Sequence, residues 1–397
     1  MAAIPESQHT TAHAIVRWYE SKPQEHRPHM GASIIGHPCS RYVWLTWRWA
    51  VTPKFPGRVL RLFDTGKREE ARLLEELRGI GAQVWDTNPE TGDQWRVVAC
   101  NGHFGGSLDG VAKGLPEAPK TPAVLEFKTH NAKSFADLVK HKVQTNKPQH
   151  FDQMQVYMGL MELDRALYMA VNKDTDDVYV EWVHFDKNHF ENLMQHAHGL
   201  IQMTEPPVKI SEDPANWQCK VCTHWDVCHG GIAAEVNCRT CAHASPGANG
   251  SWHCDRHSTN IDDKTQREGC AEHLYIPALV PYAEPVDGGP NWVAYKHRET
   301  QQMFTNGSEL IKDYGPVFSS KELQHCPADL LANAADIKAV FPGAQVQAGG
   351  LKEQGIADME WNTPEDLDKV TKPATKRDKT QRAKIAESLR NLERLAS

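Results

Sequence analysis

Ala123-Val124-Leu125-Glu126-Phe127-Lys128-Thr129, together with Gly106-Ser107-Leu108-Asp109-Gly110 upstream, decides how this chain is read. The first run is apolar and β-prone, and a strand puts Glu126 and Lys128 on one face because side chains alternate. A carboxylate and an amine one strand step apart suit hydrolysis: the carboxylate holds a metal and the amine orients or polarises the attacking water. Asp109 ends a strand-like run and is flanked by glycines, which allow close backbone approach. On neighbouring strands, Asp109 and Glu126 can share one hard cation through oxygen ligands. Taken singly, Glu-x-Lys is usually an exposed charge pair and Gly-x-x-Asp a turn.

Working outward, residues 66–78 have the apolar spacing of an amphipathic helix, with Ala71, Leu73, Leu74 and Leu77 on the buried side. Glu70 on that helix offers a third carboxylate. A further helix is expected over Phe151–Leu163, where Gln153 and Tyr157 stand at i and i+4 on one face. Strands are expected at 83–85, 95–99, 106–112, 123–129, 166–171 and 178–185. Helices are expected at 12–19 and 187–203. Strands and helices mixed in this way predict an α/β fold class.

The whole chain narrows the function classes. It has 397 residues, 40 % of them apolar and 24 % charged, which suits two or three folded domains and excludes wholesale disorder. No apolar run is long enough for a membrane span. The N-terminus has no basic segment followed by an apolar stretch, so secretion is not expected and a cytoplasmic location is. Net charge is −7, yet residues 17–68 carry ten Lys/Arg against three Asp/Glu, and residues 369–394 nine against three. Such stretches are solvated surface or a local anion-binding face. No phosphate-binding Gly-x-x-x-x-Gly-Lys-Ser/Thr loop, Gly-x-Ser-x-Gly elbow or His-Glu-x-x-His motif occurs, so neither a nucleotide-driven motor nor those hydrolases are expected.

Gly66-x-x-x-Glu70, Gly106-x-x-Asp109, Glu126-x-Lys128 and Gln153-x-x-x-Tyr157, in this order, resemble the PD-(D/E)XK nuclease superfamily, in particular its RecB-like and viral exonuclease branch. The resemblance covers about residues 31–230. It implies a restriction-endonuclease-like core, a mixed sheet flanked by helices, and a metal-dependent DNA nuclease. Asp109 and Glu126 would hold Mg²⁺ or Mn²⁺, Glu70 would help, and Lys128 would assist the water. Gln153 and Tyr157 would support the site and contact the substrate. Glu69 is the alternative should the first helix be read one residue out of register. Leu125 precedes Glu126, so the literal Pro-Asp of the family name is absent. An exonuclease acting from the ends of single- or double-stranded DNA, in phage or prophage recombination or DNA processing and with a recombination or single-strand-annealing protein as partner, is the reading the resemblance favours. The host would then be a bacterial cell. An endonuclease of the same fold, a DNA-binding module without catalysis and an Fe–S redox or sensor protein are the rivals.

Ten cysteines complete the pattern. In an unexported protein, Cys-x-x-Cys pairs favour metals over disulfides. Cys219-x2-Cys222-x5-Cys228 needs a fourth thiolate. With distant Cys39 it resembles Fe–S nucleases such as the AddB nuclease domain and CRISPR-associated RecB-like exonucleases. That resemblance implies a [4Fe–4S] cluster on Cys39, Cys219, Cys222 and Cys228; zinc on the same ligands remains the alternative. Cys238, Cys241, Cys254 and Cys270 read as a zinc-ribbon-like site, with His257 and His273 as rival fourth ligands. Cys100 and Cys326 read as ordinary thiols. Arg41, beside Cys39, is a candidate substrate contact among the N-terminal tryptophans and basic residues. The expected division is a nuclease domain over 1–230, a zinc-ribbon-like region and proline-spaced linker over 231–290, an accessory α/β region over 291–362 and a basic tail over 363–397.

Overall fold

A computed structural model describes residues 10–307, 314–340, 344–347 and 350–353. The expected basic tail over 363–397 lies outside the described residues. Helix α1 (Thr11–Glu20) starts at Thr10, whose side chain accepts from the His13 amide. A two-residue strand β1 (Met30–Gly31) follows. Helix α2 (Ser40–Trp47), unassigned from sequence, buries Val43, Trp44, Leu45 and Trp47. Helix α3 runs over Gly57–Gly79 and so starts well before the expected residue 66. Past Gly57, its buried residues are confined to Leu73, Leu74 and Leu77, and only that half carries an apolar period to read.

Strands β2 (Gln83–Trp85), β3 (Arg96–Ala99), β4 (Phe104–Ser107), β5 (Gly110–Lys113) and β6 (Ala123–His130) come next. The single strand expected over 106–112 is in fact two, in different sheets. β4 lies between β1 and β3, whereas β5 lies between β2 and β6. Leu108 and Asp109 are the crossing between them. Helix α4 (Ala132–Asn146), also unassigned from sequence, is capped by Asn131 accepting from the Ser134 amide at 2.8 Å. Helix α5 (Pro148–Met161) opens on a proline at its first position, where no amide donor is needed. Strands β7 (Arg165–Asn172) and β8 (Val178–His184) precede helix α6 (Lys187–Gln202) and the single turns α7 (Trp217–Lys220) and α8 (Trp225–Cys228).

The five-stranded sheet has the order β2-β5-β6-β7-β8. Only β6 and β7 are parallel; the other pairs are antiparallel. A parallel pair needs a crossover, and α4 with α5 supply it. Leu73, Leu74 and Leu77 of α3 cover one face with Leu125, Phe127, Leu167 and Met169. Val124, Tyr168 and Ala170 on the other face join a cluster with Met154 and Met158 of α5. This is the mixed sheet flanked by helices that the sequence predicts. Each fully buried leucine contributes about 1.5–3 kcal/mol.

Strands β9 (Ala244–Pro246), β10 (Trp252–Cys254) and β11 (Thr259–Ile261) form a small antiparallel sheet, followed by helix α9 (Asp263–Glu268). The segment 277–290, expected as a linker, is built into the structure instead. Leu279, Val280, Tyr282 and Ala283 are buried, and β12 (Ala283–Gly289) edges a sheet with β13 (Trp292–His297), β14 (Met303–Gly307) and β15 (Val317–Phe318). Pro285 fits because β12 is an edge strand and is bulged there. Helices α10 (Ser320–Gln324) and α11 (Ala328–Val340) and the hairpin β16 (Ala344–Gln347) and β17 (Gly350–Glu353) complete the described chain. Among the described residues no helix is long and apolar enough to cross a membrane.

Candidate active site

The crossing from one sheet to the other places Asp109 immediately before β5, whose neighbour is β6. Asp109 Oδ2 accepts from the Phe127 amide at 2.7 Å, so its carboxylate lies against β6 between Glu126 and Lys128 in sequence. Glu126 is completely buried, and Lys128 Nζ is ion-paired with its Oε1. The other carboxylate oxygen of Glu126 accepts from Gln153 Nε2 at 3.1 Å. Gln153 Nε2 also lies 3.1 Å from Tyr157 Oη, which in turn donates to the Ser107 carbonyl at 2.9 Å. The i, i+4 pair on α5 is thus tied to the strand that leads into Asp109. Gly106 makes that approach feasible: a Cβ there would stand 2.6 Å from Tyr157 Oη.

Glu70 on α3 interacts electrostatically with Asp109, Glu126 and Lys128. Glu69 is turned to Arg72, 3.3 Å away, so the in-register residue is the one beside the cluster. Burial and then Asp109 push the Glu70 carboxyl up to about 7. Burial, with Asp109 and Glu70 adding to it and Lys128 opposing, pushes Glu126 up to about 7. Asp109 is raised by burial despite Lys128 and the Phe127 amide. For Lys128, burial works against the charge, but Glu126, Asp109 and Glu70 outweigh it and hold the ammonium above its ordinary value. Three carboxylates crowded against one ammonium are short of positive charge. That donor set, all hard oxygens, fits a divalent cation such as Mg²⁺ or Mn²⁺.

The cysteines gather elsewhere. Cys39, Cys219, Cys222 and Cys228 line one cavity, reached from two separate segments of the chain. Arg41 lies at this cavity and not at the carboxylates: it is buried, and Nη1 donates to the Pro207 carbonyl at 2.9 Å. Burial pushes the Cys222 thiol up to about 11, with Cys228, Cys39 and Cys219 adding to it. Cys238, Cys241, Cys254 and Cys270 line a second cavity under β10. Burial pushes Cys238 up to about 12, with Cys241, Cys270 and Cys254 adding to it. Of the rival ligands, His257 faces Glu272 at 3.3 Å, and His273 Nε2 is engaged by the Asn237 carbonyl at 3.0 Å. Among the described residues, no group of three or more His, Cys, Asp or Glu is drawn in to metal-binding spacing. Cys100 and Cys326 stand in neither cavity.

Arg48, with Trp44, Trp47 and Trp49, reads from sequence as a candidate for stacking bases and tracking phosphates; the structure buries all four, and Arg239 with them, which the sequence reading missed. Arg48 donates to the carbonyls of Arg239, Ala244 and Met203, and Arg239 to those of Pro28 and Trp47. Their guanidiniums stack on Trp44, Trp47, Trp49 and Trp252. A Trp/Arg alternation such as Trp47-Arg48-Trp49 was the available signal.

The family model of the PD-(D/E)XK nuclease superfamily matches residues 10–229, more than half of the chain. The protein belongs to that superfamily and is a nuclease, with DNA as the substrate its family implies and Mg²⁺ or Mn²⁺ as the cations such nucleases generally use. No curated protein matches the sequence. Solved structures similar to the chain include that of SSO0001, at 13 % identity and a TM-score of 0.34, covering 56 % of this chain and 98 % of the other. An alkaline exonuclease from Laribacter hongkongensis, LHK-Exo, is similar at 13 % identity and a TM-score of 0.32. Its complex with dAMP is similar at 14 % and 0.30; both cover 47 % of this chain and 90 % of the other. Likeness this slight does not extend their activities to this chain.

Proposed function

We propose that the protein is a Mg²⁺- or Mn²⁺-dependent exonuclease that hydrolyses phosphodiester bonds from DNA ends. The carrying observation is the convergence of Asp109, Glu126 and Glu70 around Lys128, with Gln153 fixing the second oxygen of Glu126. Asp109, Glu126 and Glu70 would hold the cation. When bound, such a cation neutralises charge developing on the phosphate and makes hydroxide available near neutral pH. Lys128 stays protonated, so its role is to orient the attacking water and stabilise anionic charge, not to accept a proton. Gln153 holds the Glu126 carboxylate in one rotation, and Tyr157 holds Gln153. Action from ends, and a place in phage or prophage recombination inside a bacterial host, rest on the resemblance of the Glu70, Asp109, Glu126-x-Lys128 and Gln153-x-x-x-Tyr157 layout to viral and RecB-like exonucleases.

The decisive assay supplies Mn²⁺ or Mg²⁺ with end-labelled linear DNA, single- and double-stranded, beside a closed circle. Degradation of linear DNA alone, abolished in Glu126→Ala, is the expected result. Cutting of the circle would make the protein an endonuclease of the same fold. Binding without cleavage by folded, metal-replete wild type would make it a DNA-binding module.

The same reading assigns a [4Fe–4S] cluster to Cys39, Cys219, Cys222 and Cys228, tying the ends of the nuclease unit together. The donor chemistry fits: four thiols on one cavity, with Arg41 beside them to offset thiolate charge. Zinc is assigned to Cys238, Cys241, Cys254 and Cys270. A four-thiolate zinc site carries two net negative charges; the buried Arg48 acts electrostatically on Cys241, and Arg256 lines the cavity. Arg41, at the thiol cavity, is reassigned from DNA contact to support of that cavity. Absorbance near 400 nm, with iron and sulfide counts on anaerobically purified protein, tests the cluster; zinc content tests the second site.

A further inference from the structure

Beyond Lys128, the same face of β6 continues to His130, which the hydrolytic reading leaves unused. A chain of hydrogen bonds passes through it. Lys147 Nζ donates to Ser134 Oγ at 2.9 Å, and Ser134 Oγ is 3.1 Å from His130 Nδ1. His130 Nε2 is 3.1 Å from Tyr168 Oη, which is 3.0 Å from His150 Nδ1. The participants come from four elements and one junction: Ser134 from α4, Lys147 from the junction before α5, His130 and Tyr168 from the paired strands β6 and β7, and His150 from the first turn of α5.

The direction of the protons follows from the ends. An ammonium only donates. Ser134 Oγ therefore accepts from Lys147 and is left with one proton of its own, for which His130 Nδ1 is the acceptor within reach. His130 then carries its proton on Nε2 and donates it to Tyr168 Oη. The tyrosine hydroxyl passes its proton on to His150 Nδ1. His150 is thereby fixed with its proton on Nε2. The reverse order leaves the Ser134 proton without an acceptor among the described residues. Burial, reinforced by Lys128 and Lys147, pushes His130 down to about 4 and His150 down to about 3, so both rings are neutral and the order of donors holds throughout the neutral range.

His150 lies one turn before Gln153 on α5, and Lys128 is the charge it feels most. Its ring hydrogen bond among the described residues is made by Nδ1, which leaves Nε2 for the substrate, and the ring is half-buried where the residues that follow on α5 are buried. We propose that Lys147, Ser134, His130 and Tyr168 form a one-way hydrogen-bond chain that presents His150 Nε2–H as a neutral donor to the DNA phosphate beside Lys128. This rests on the assignment of the carboxylate cluster as the nuclease site. A neutral imidazole N–H is a poor acid, so His150 holds a phosphate oxygen and transfers no proton. The four residues behind it are positioning residues.

Long-range ¹H–¹⁵N correlation on histidine-labelled protein at pH 7 reads the tautomers without any reaction. Nε2–H at both His130 and His150, with the His150 preference lost in Ser134→Ala, is expected; Nδ1–H at His150 would overturn the chain. In cleavage assays, His150→Phe is expected to lower kcat by about 10- to 100-fold, the range for losing a hydrogen bond to a charged group, with KM little changed. His150→Gln, which keeps an N–H donor, should recover part of that loss. Wild-type turnover in folded His150→Phe would overturn the inference while an inactive Glu126→Ala left the nuclease site standing. An active Glu126→Ala would instead remove the site assignment, and the inference with it.

Discussion

The carboxylate cluster and the two thiol cavities are built by opposite means. Asp109, Glu126 and Lys128 sit on paired strands, and Glu70 and Gln153 on long helices packed against them. The sheet register and the Phe127, Gln153 and Tyr157 hydrogen bonds set their positions. Most of the thiols sit on turns or element ends: Cys219 and Cys228 on single helical turns, Cys238 at a 3₁₀ turn, Cys222 and Cys270 outside regular structure, Cys39 just before α2 and Cys254 at the end of the three-residue strand β10. A scaffold of strands and long helices holds ligands with or without a metal. Turns hold them weakly, so a bound metal contributes much of their order. Substitution in the first region should therefore remove chemistry and spare the fold. Substitution in the second should do the reverse.

The largest effect belongs to the first region. Asp109→Asn and Glu126→Ala should each lower DNA cleavage by roughly 10³-fold or more, the loss of several kcal/mol of charge stabilisation. Circular dichroism and the melting temperature should change little in Asp109→Asn. Comparable loss of melting temperature and activity in both variants would erase the contrast between the regions.

Next comes the thiol region. Cys238→Ser should lower stability by several kcal/mol, on the order of 10 °C in Tm, with loss of bound zinc. Cys270→Ser should match it, because Cys270 completes a set of four thiols on the cavity; His257 lines the same cavity, but its Nε2 is turned to Glu272 at 3.3 Å, so His257→Ala should retain zinc. Metal analysis of the three variants separates the rival ligands. Zinc retained in Cys270→Ser and lost in His257→Ala would reverse the assignment.

How much of this was legible in the sequence follows the same division. β6 was readable because a run of Val124, Leu125 and Phe127 around Glu126 has no other good solution than a buried strand. α5 was readable because its apolar residues flank Gln153 and Tyr157 at helical spacing. The break at Leu108 and Asp109 was not, since Gly106 to Ala112 reads as one uninterrupted β-prone run. The exchange of sheets there depends on partners, β1 beside β4 and β2 beside β5, that are distant in sequence. α2 was missed because its tryptophans are buried on all sides and leave no polar face to define a period. The His130–Tyr168–His150 chain was invisible for the same reason: parallel register pairs Glu126 with Tyr168, and no local pattern reports that.

Gly106 offers a smaller and more local test, because it joins the two kinds of evidence, packing and chemistry. A Cβ at this position would stand 2.6 Å from Tyr157 Oη and 3.0 Å from its ring. Gly106→Ala should cost about 1–3 kcal/mol in urea unfolding, as overpacked positions do. Displacing Tyr157 also releases Gln153 and with it the second oxygen of Glu126, so cleavage should fall further than the stability change explains. Adding Tyr157→Phe, which removes the hydroxyl that the Cβ meets, should recover stability and not activity.

The smallest effect expected is a pH dependence that links the carboxylates to their cation. Burial and mutual repulsion raise Glu70 and Glu126 to about 7 in the cation-free protein. A carboxyl raised on folding binds more protons in the native state than in the unfolded chain. Its contribution is therefore present in full below the unfolded value, near 4.5, and is lost as pH rises through about 7. In a chelator, the melting temperature should accordingly drift down between pH 5 and 8. Mn²⁺ should oppose the drift, most strongly at the alkaline end, because it takes the place of the protons that the carboxylates have released. Glu70→Gln, with one carboxylate fewer, should flatten the drift and weaken the Mn²⁺ response together. A drift that survives Glu70→Gln unchanged, with the Mn²⁺ response intact, would place Glu70 outside the cation site and leave Asp109 and Glu126 to hold it alone.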